Sequence, residues 1–254
     1  MSAPKTTAAD LQSLCETGQQ QLMLMDYLAA EDTLVQAERG AVELGDFDTL
    51  SRLYMPLQEA RRQRRQRCGE GTVHLHLVAS GPDDPSVNPE KLIEQYPQGQ
   101  LLIAGWGTIA PAIQFRRLAW ERRLYVETFL AAAYPSAEHG VVVAIVPLET
   151  AEMPPVKAYT LHELMGLVHP YSIMQTEEHR VPDVQQGDAS TYAQTMRMWE
   201  QLHLSFVSDA DHMSDSLRKM DAYRKAIAVD YACELAHQKL SAVAREYARQ
   251  MRRI

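Results

Sequence analysis

Gly105-Trp106-Gly107-Thr108 is the stretch whose residue types come nearest to ligand chemistry. An apolar run, Leu101 to Ala104, leads into it and a helical pattern leads out. Gly105 and Gly107 permit a sharp turn where a Cβ would clash. Thr108 can cap the following helix, and Pro111 is tolerated in its first turn, where N–H groups have no partner inside the helix. Those free N–H groups and the helix dipole favour an anion. Gly105, Gly107 and Thr108 therefore form a candidate phosphate or carboxylate site. The plainer alternative is that the glycines only close a tight strand-to-helix connection.

The second candidate is the run Arg61-Arg62-Gln63-Arg64-Arg65-Gln66-Arg67, conspicuous in a chain of net charge −8. Arg61, Arg62, Arg64 and Arg65 can grip an acidic protein partner or a phosphate-bearing ligand. The alternative is a solvated helix end whose cations complement the C-terminal dipole. No aromatic residue is interleaved for base stacking, and the acidic balance argues against nucleic acid as a partner.

Other motifs are incomplete. His74-Leu75-His76 puts two imidazoles on one face of a strand, as some metal sites do. Further ligands would have to come from Asp83, Asp84 or His139, and the ordinary reading is structural, so no metal is expected. His162-Glu163-Leu164-Met165-Gly166 begins like a zinc-protease helix but lacks the second histidine. His179, beside Glu177-Glu178, reads as a solvated loop residue. There is no GxSxG elbow, no Walker loop, and no cysteine with an evident histidine partner. No cofactor is implied.

The elements that must position these groups follow from periodicity. Leu11 to Gly40 is helical, with Gly40 or Gly45 as the break. Asp46 caps a helix to about Arg67 that buries Leu50, Leu53, Tyr54 and Leu57, and Pro56 should kink or shorten it. Gly69-Glu70-Gly71 ends it. Thr72 to Ala79 reads as a strand, Ser80 to Pro89 as a loop, and Pro89 to Tyr96 as a short helix capped by Asn88. After the glycine turn a long helix should run to Tyr134, burying Ile113, Leu118, Trp120, Leu124 and Phe129. Val141 to Val146 is a second wholly apolar strand. Apolar runs joined by a helix imply that Leu101–Ala104 and Val141–Val146 lie side by side and parallel, by right-handed crossover. Ligands in such sheets sit beyond the carboxyl ends of the strands, here Ser80-Gly81, Gly105 to Thr108, and Pro147 to Thr150. Leu161 to Val168 reads as a helix, Tyr171 to Met174 as a weak strand, and Glu177 to Gly187 as a linker. Helices follow to about Val207, from Asp215 to Val229, and from Ala232 to Arg253.

The expected fold class is therefore α/β: a short, mainly parallel sheet with crossover helices, flanked by N- and C-terminal helical hairpins. The expected boundaries are 1–70, 71–187 and 188–254. With 46% hydrophobic residues the chain can fill a core, while 7% aromatics and twelve methionines suit helix packing. Cys15, Cys68 and Cys233 form no CxxC, which fits a reduced cytoplasmic protein. The start of the sequence shows no apolar signal region, and no apolar run reaches membrane-span length.

Two resemblances add to this reading. Trp199, Leu202 and Phe206 follow the spacing of the first helix of a tetratricopeptide repeat, with His203 at the usual small position. Tyr223 and Ala226 match the second helix, and Ala226-Ile227-Ala228-Val229-Asp230 its run-out, with Tyr231 in place of the customary proline. Asp26-Tyr27, Ala30, Leu34 and Ala37 look like another second helix, and Gly45-Asp46-Phe47 echoes that start. The resemblance implies protein interaction, and also that so few repeats must dock on each other or on the sheet. The middle is similar to phosphosugar-binding domains of the sugar isomerase type, which use a strand, a GxG[ST] turn and a helix. Gly105, Gly107 and Thr108 fit that part. Ala144 to Thr150 looks like the family's second strand and its closing Gly-Glu-Thr, but its serines and glycine are absent. That resemblance implies Thr150 as a further anion ligand. The expected function is a protein-interaction or scaffold protein without evident catalytic machinery. The alternative is a small-anion or phosphosugar-binding domain, an isomerase included.

Overall fold

The structure is a computed structural model that describes residues 7–78, 86–150, 152–176 and 189–253. In chain order its elements are α1 (Ala8–Met23), α2 (Tyr27–Leu44), α3 (Phe47–Gly69), β1 (Thr72–Val78), α4 (Pro89–Gln95), β2 (Gly99–Ala104), α5 (Ile109–Glu121), β3 (Val126–Ser136), β4 (Gly140–Val146), α6 (Leu161–Leu167), β5 (Ile173–Gln175), α7 (Ala189–Asp211), α8 (Ser216–Val229) and α9 (Glu234–Met251). The α/β class with helical segments at both ends is as expected. No helix among the described residues is long and apolar enough to cross a membrane. The Glu177–Gly187 linker, His179, Asp83, Asp84 and Ser80-Gly81 fall outside the described residues.

The chain divides into two compact units, 1–65 with 203–254, and 66–202. The first part of α7 belongs to the second unit, whereas residues 1–65 and 203–254 of the two terminal segments, expected as separate domains, share the first. Within it Ser241 Oγ donates to the Ser51 carbonyl at 2.6 Å, and Phe47 meets Tyr247 edge-on at 4.7 Å. α1 and α2 form a hairpin in which Ala30, Leu34 and Ala37 are fully buried. Gly18 lets α1 lie against α2: a Cβ there would stand 2.6 Å from Leu34 Cγ. Asp46 caps α3 as expected, accepting from the Thr49 N–H, and Asp26 and Asp215 likewise accept from the Ala29 and Arg218 N–H groups. Gly45 ends α2 at φ +65, whereas Gly40 is buried inside it. The break the periodicity missed lies at Leu24 to Asp26, where Met25 takes φ +61. Pro56 sits inside α3 and does not end it.

The α/β unit holds a mixed sheet of order β1-β2-β3-β4-β5. Its first three strands are parallel, in keeping with a mainly parallel sheet, although β3 was not expected as a strand; β4 and β5 are antiparallel to their neighbours. The long helix expected to Tyr134 stops at Glu121. Arg123 turns the chain at φ +54, and Val126 to Ser136 enters the sheet as its central strand. Leu101–Ala104 and Val141–Val146 are therefore neither adjacent nor parallel: β3 stands between them, and β4 runs opposite to β2. The cause is a strand read as helix because Ala131-Ala132-Ala133 carries high helix propensity, which burial on both faces overrides. On one face Leu101, Ile103, Val126 and Leu130 pack under Ile93 of α4 and Ala112, Phe115 and Ala119 of α5. The buried stripe of α5 is thus not the one expected. On the other face Phe129 stacks on Trp199 of α7 at 4.2 Å.

Candidate functional site

The glycine turn forms where the sequence puts it, but its chemistry is turned inward. Thr108 is buried, and its hydroxyl donates to the Ala131 carbonyl at 2.7 Å, with the Gly105 carbonyl at 3.0 Å. It also accepts the Gly105 N–H at 2.9 Å, and it makes no side-chain cap to α5. The hydroxyl therefore ties the turn to β3 and is spent on backbone. Gly107 is exposed at φ +67 with nothing near a Cβ. The Trp106 indole nitrogen is buried without a hydrogen-bond partner. Thr150 does not join this group. Val146 pairs with Leu130, so the antiparallel β4 leaves toward the amino end of β2, away from Gly105. Its neighbour Glu149 lies 3.6 Å from Arg116 instead.

The histidine pair sits at an irregularity of its strand. His74 faces Leu101 and Leu77 faces Ile103, so β1 carries one extra residue between them, while burial still alternates through His74 and His76. His74 packs on Tyr96 at 4.6 Å. Among the described residues no group of three His, Cys, Asp or Glu side chains could hold a metal. Glu163 closes a capping box with Thr160.

Three arginines of the run, Arg61, Arg64 and Arg65, turn out to be internal to the helical unit. Glu31 of α2 holds Arg61 and Arg64 of α3, each at 3.0 Å. Arg65 is 2% exposed and pairs with Asp230, also 2% exposed, at 2.6 Å. Arg64 and Arg65 lie over the Tyr231 ring at 4.2 and 4.6 Å. Arg62 and Arg67 look outward, Arg62 paired with Glu59 and Arg67 with Glu70, each one turn away. As a partner-binding patch, Arg61, Arg64 and Arg65 are accounted for by the fold: their fork-like guanidiniums join α3 to α2 and to the α8–α9 turn.

Two histidines complete this network in opposite charge states. Burial works against protonated His203, but its hydrogen bonds to Asp230, 2.7 Å away, and Cys233 prevail and raise its pKa to about 9. Burial and the Arg61 charge push His237 down to about 4. Neutral His237 donates from Nδ1 to the Cys233 carbonyl at 2.8 Å and accepts from Arg61 at Nε2, 3.1 Å away. Asp230 and Glu31 both titrate below the ordinary carboxylate range: burial opposes ionisation, and the facing arginines outweigh it.

Besides a larger, more open groove of about 490 Å³ between α2 and α8, the helical unit presents one of about 230 Å³ between α1 and α3. Gln12, Cys15, Glu16 and Gln19 line one side, and Thr49, Arg52 and Leu53 the other. Gln12 donates to Glu16 at 2.7 Å, and Arg52 reaches Asp48 at 3.7 Å. Burial raises the Cys15 thiol pKa, which keeps it protonated and a poor nucleophile.

Comparison of the chain with protein-family models, with curated proteins and with solved structures gives no match.

Sequence reasoning missed three features of the helical unit. Gly18 gives a signal: Leu14-x2-Thr17-Gly18, followed by Ala30-x3-Leu34, follows the repeat spacing noted above. The left-handed Met25 gives none, because glycine ordinarily marks such a turn. His203 was visible only as a mismatched repeat position, and Asp230 only as the end of the repeat run-out.

Proposed function

We propose that the protein is a non-catalytic binding scaffold whose helical unit receives an extended segment of a protein partner between α1 and α3. The observation that carries this reading is the α1–α3 groove and its side-chain amides. The amide of Gln19 has no hydrogen bond among the described residues, and Gln12 keeps its carbonyl oxygen. A glutamine amide presents a donor and an acceptor together, matching the C=O and N–H of an extended backbone. The close α1–α2 hairpin, with Gly18 against Leu34, supports a tetratricopeptide-like unit, and such helix pairs build concave binding surfaces. We place the protein in the reducing cytoplasm, in keeping with free thiols at Cys15, Cys68 and Cys233.

The test is cross-linking of the intact chain in its native cell extract, read by mass spectrometry, against Gln19→Trp and Gln12→Arg. Partners whose cross-links map to α1 and α3 and vanish in both variants, with unchanged circular dichroism, sustain the proposal. Cross-links that persist in both variants sink it. Thermal shifts with sugar phosphates that Gly107→Val abolishes would favour the anion-binding alternative.

A further inference from the structure

The α/β unit contains a further concavity, independent of the helical grooves. It encloses about 420 Å³ beyond the carboxyl end of β1, between that strand and α4. This is the edge at which α/β sheets receive ligands, and the volume falls in the range of small-molecule sites. The β1 bulge contributes to it: the extra residue carries the strand past His76 before Leu77 returns to register with Ile103. The floor is apolar, made by Leu77, Val87, Leu92 and the fully buried Ile103.

The rim is polar, and among the described lining residues Lys91 alone carries a fixed charge. Lys91 is exposed and makes no ion pair among the described residues. Its neighbour Glu90 is already paired with Arg122. Asn88 spends its Oδ1 on the Glu90 and Lys91 N–H groups, which leaves its Nδ2 as a donor. His76 lies on the same rim. Among the described residues no Phe, Tyr or Trp ring lines the groove to stack a base or sugar. An apolar floor beneath an uncompensated ammonium and an amide donor matches an aliphatic chain that ends in an anion.

We infer that this groove binds a small aliphatic carboxylate, its chain on Leu77, Val87 and Leu92 and its carboxylate at Lys91 and Asn88.

The experiment uses the full chain, with hexanoate, hexanol and hexylamine as probes and methyl NMR as readout. Hexanoate should shift the methyls of Leu77, Val87 and Leu92 saturably. Hexanol should bind about tenfold more weakly or worse, since it lacks the charge-assisted bond, and hexylamine should not bind. Lys91→Glu sits on an exposed helix face and should fold; it should abolish the preference for hexanoate over hexanol. Val87→Trp should fill the groove and remove all three responses. The inference is overturned if hexanoate leaves these methyls unmoved at millimolar concentration. It is equally overturned if hexanol binds as tightly, or if Lys91→Glu binds hexanoate as well as the parent chain does.

Discussion

Protonated His203 should make the helical unit lose stability as the solution turns alkaline. Its pKa is about 9 in the folded chain against 6.5 for the free side chain. Because the folded value is the higher one, its contribution is complete below pH 6.5 and drains away as pH rises toward 9. At about 1.4 kcal/mol for each pH unit, the whole interval is worth about 3 kcal/mol. The side chain is only 13% exposed, so solvent screening removes little of this. His203→Gln keeps a neutral hydrogen bond to Asp230 and removes the titration. Urea unfolding of both proteins from pH 6 to 9.5 isolates the effect, since other groups titrate equally in each. Far-UV circular dichroism is the proper probe, because Trp106, Trp120 and Trp199 all lie in the other unit. The parent's advantage should be largest at pH 6 and shrink by about 3 kcal/mol by pH 9. A difference that stays constant over this range refutes the assignment. A His203 proton resonance that titrates near 6.5 refutes it directly. In Asp230→Asn that resonance should titrate well below 9, because burial then acts against the charge without its main counterweight.

Other perturbations test the fold that carries the sites. Arg65→Met should cost about 3 kcal/mol by leaving buried Asp230 with His203 as its remaining cationic partner, and a second change, Asp230→Leu, should restore part of it; chemical denaturation measures both. Gly18→Ala should destabilise by about 1 kcal/mol, because overpacking against Leu34 exceeds the gain in helix propensity, and Leu34→Ala should relieve the clash in a double-mutant cycle. Met25→Gly should stabilise by about 1 kcal/mol by relieving a left-handed residue, read as a rise in melting temperature. Thr108→Val should cost about 2–3 kcal/mol, because it leaves the Ala131 carbonyl and Gly105 N–H without the hydroxyl.

These cases show what was legible and why. Amphipathic helices were readable because a single apolar face determines them: Leu50, Leu53, Tyr54 and Leu57 are all buried as their spacing implies. Caps at Asp46 and Asn88 were readable because a capping side chain acts within three residues of itself. β3 was not readable, since its conformation is imposed by neighbours far along the chain. Gln100 faces Glu127 and Leu102 faces Phe129 only once β2 and β3 are paired. The error spread from there: with β3 taken as helix, β4 was set next to β2, and Thr150 moved to the wrong end of the sheet.

The arginine run failed for a related reason. Charge density in sequence carries no information about which cations will meet buried acids. Glu31 is an isolated acid on an apolar helix face, and Asp230 was read only as repeat run-out. Arginines at 61, 64 and 65 fall at three- and four-residue spacing on one side of α3, which also presents Leu57 and Ala60 to the core. That side was internal from the outset, while Arg62, off the stripe, stays half-exposed and pairs locally. The spacing of the cations relative to the apolar stripe, more than their number, thus distinguishes an internal ion network from a docking patch.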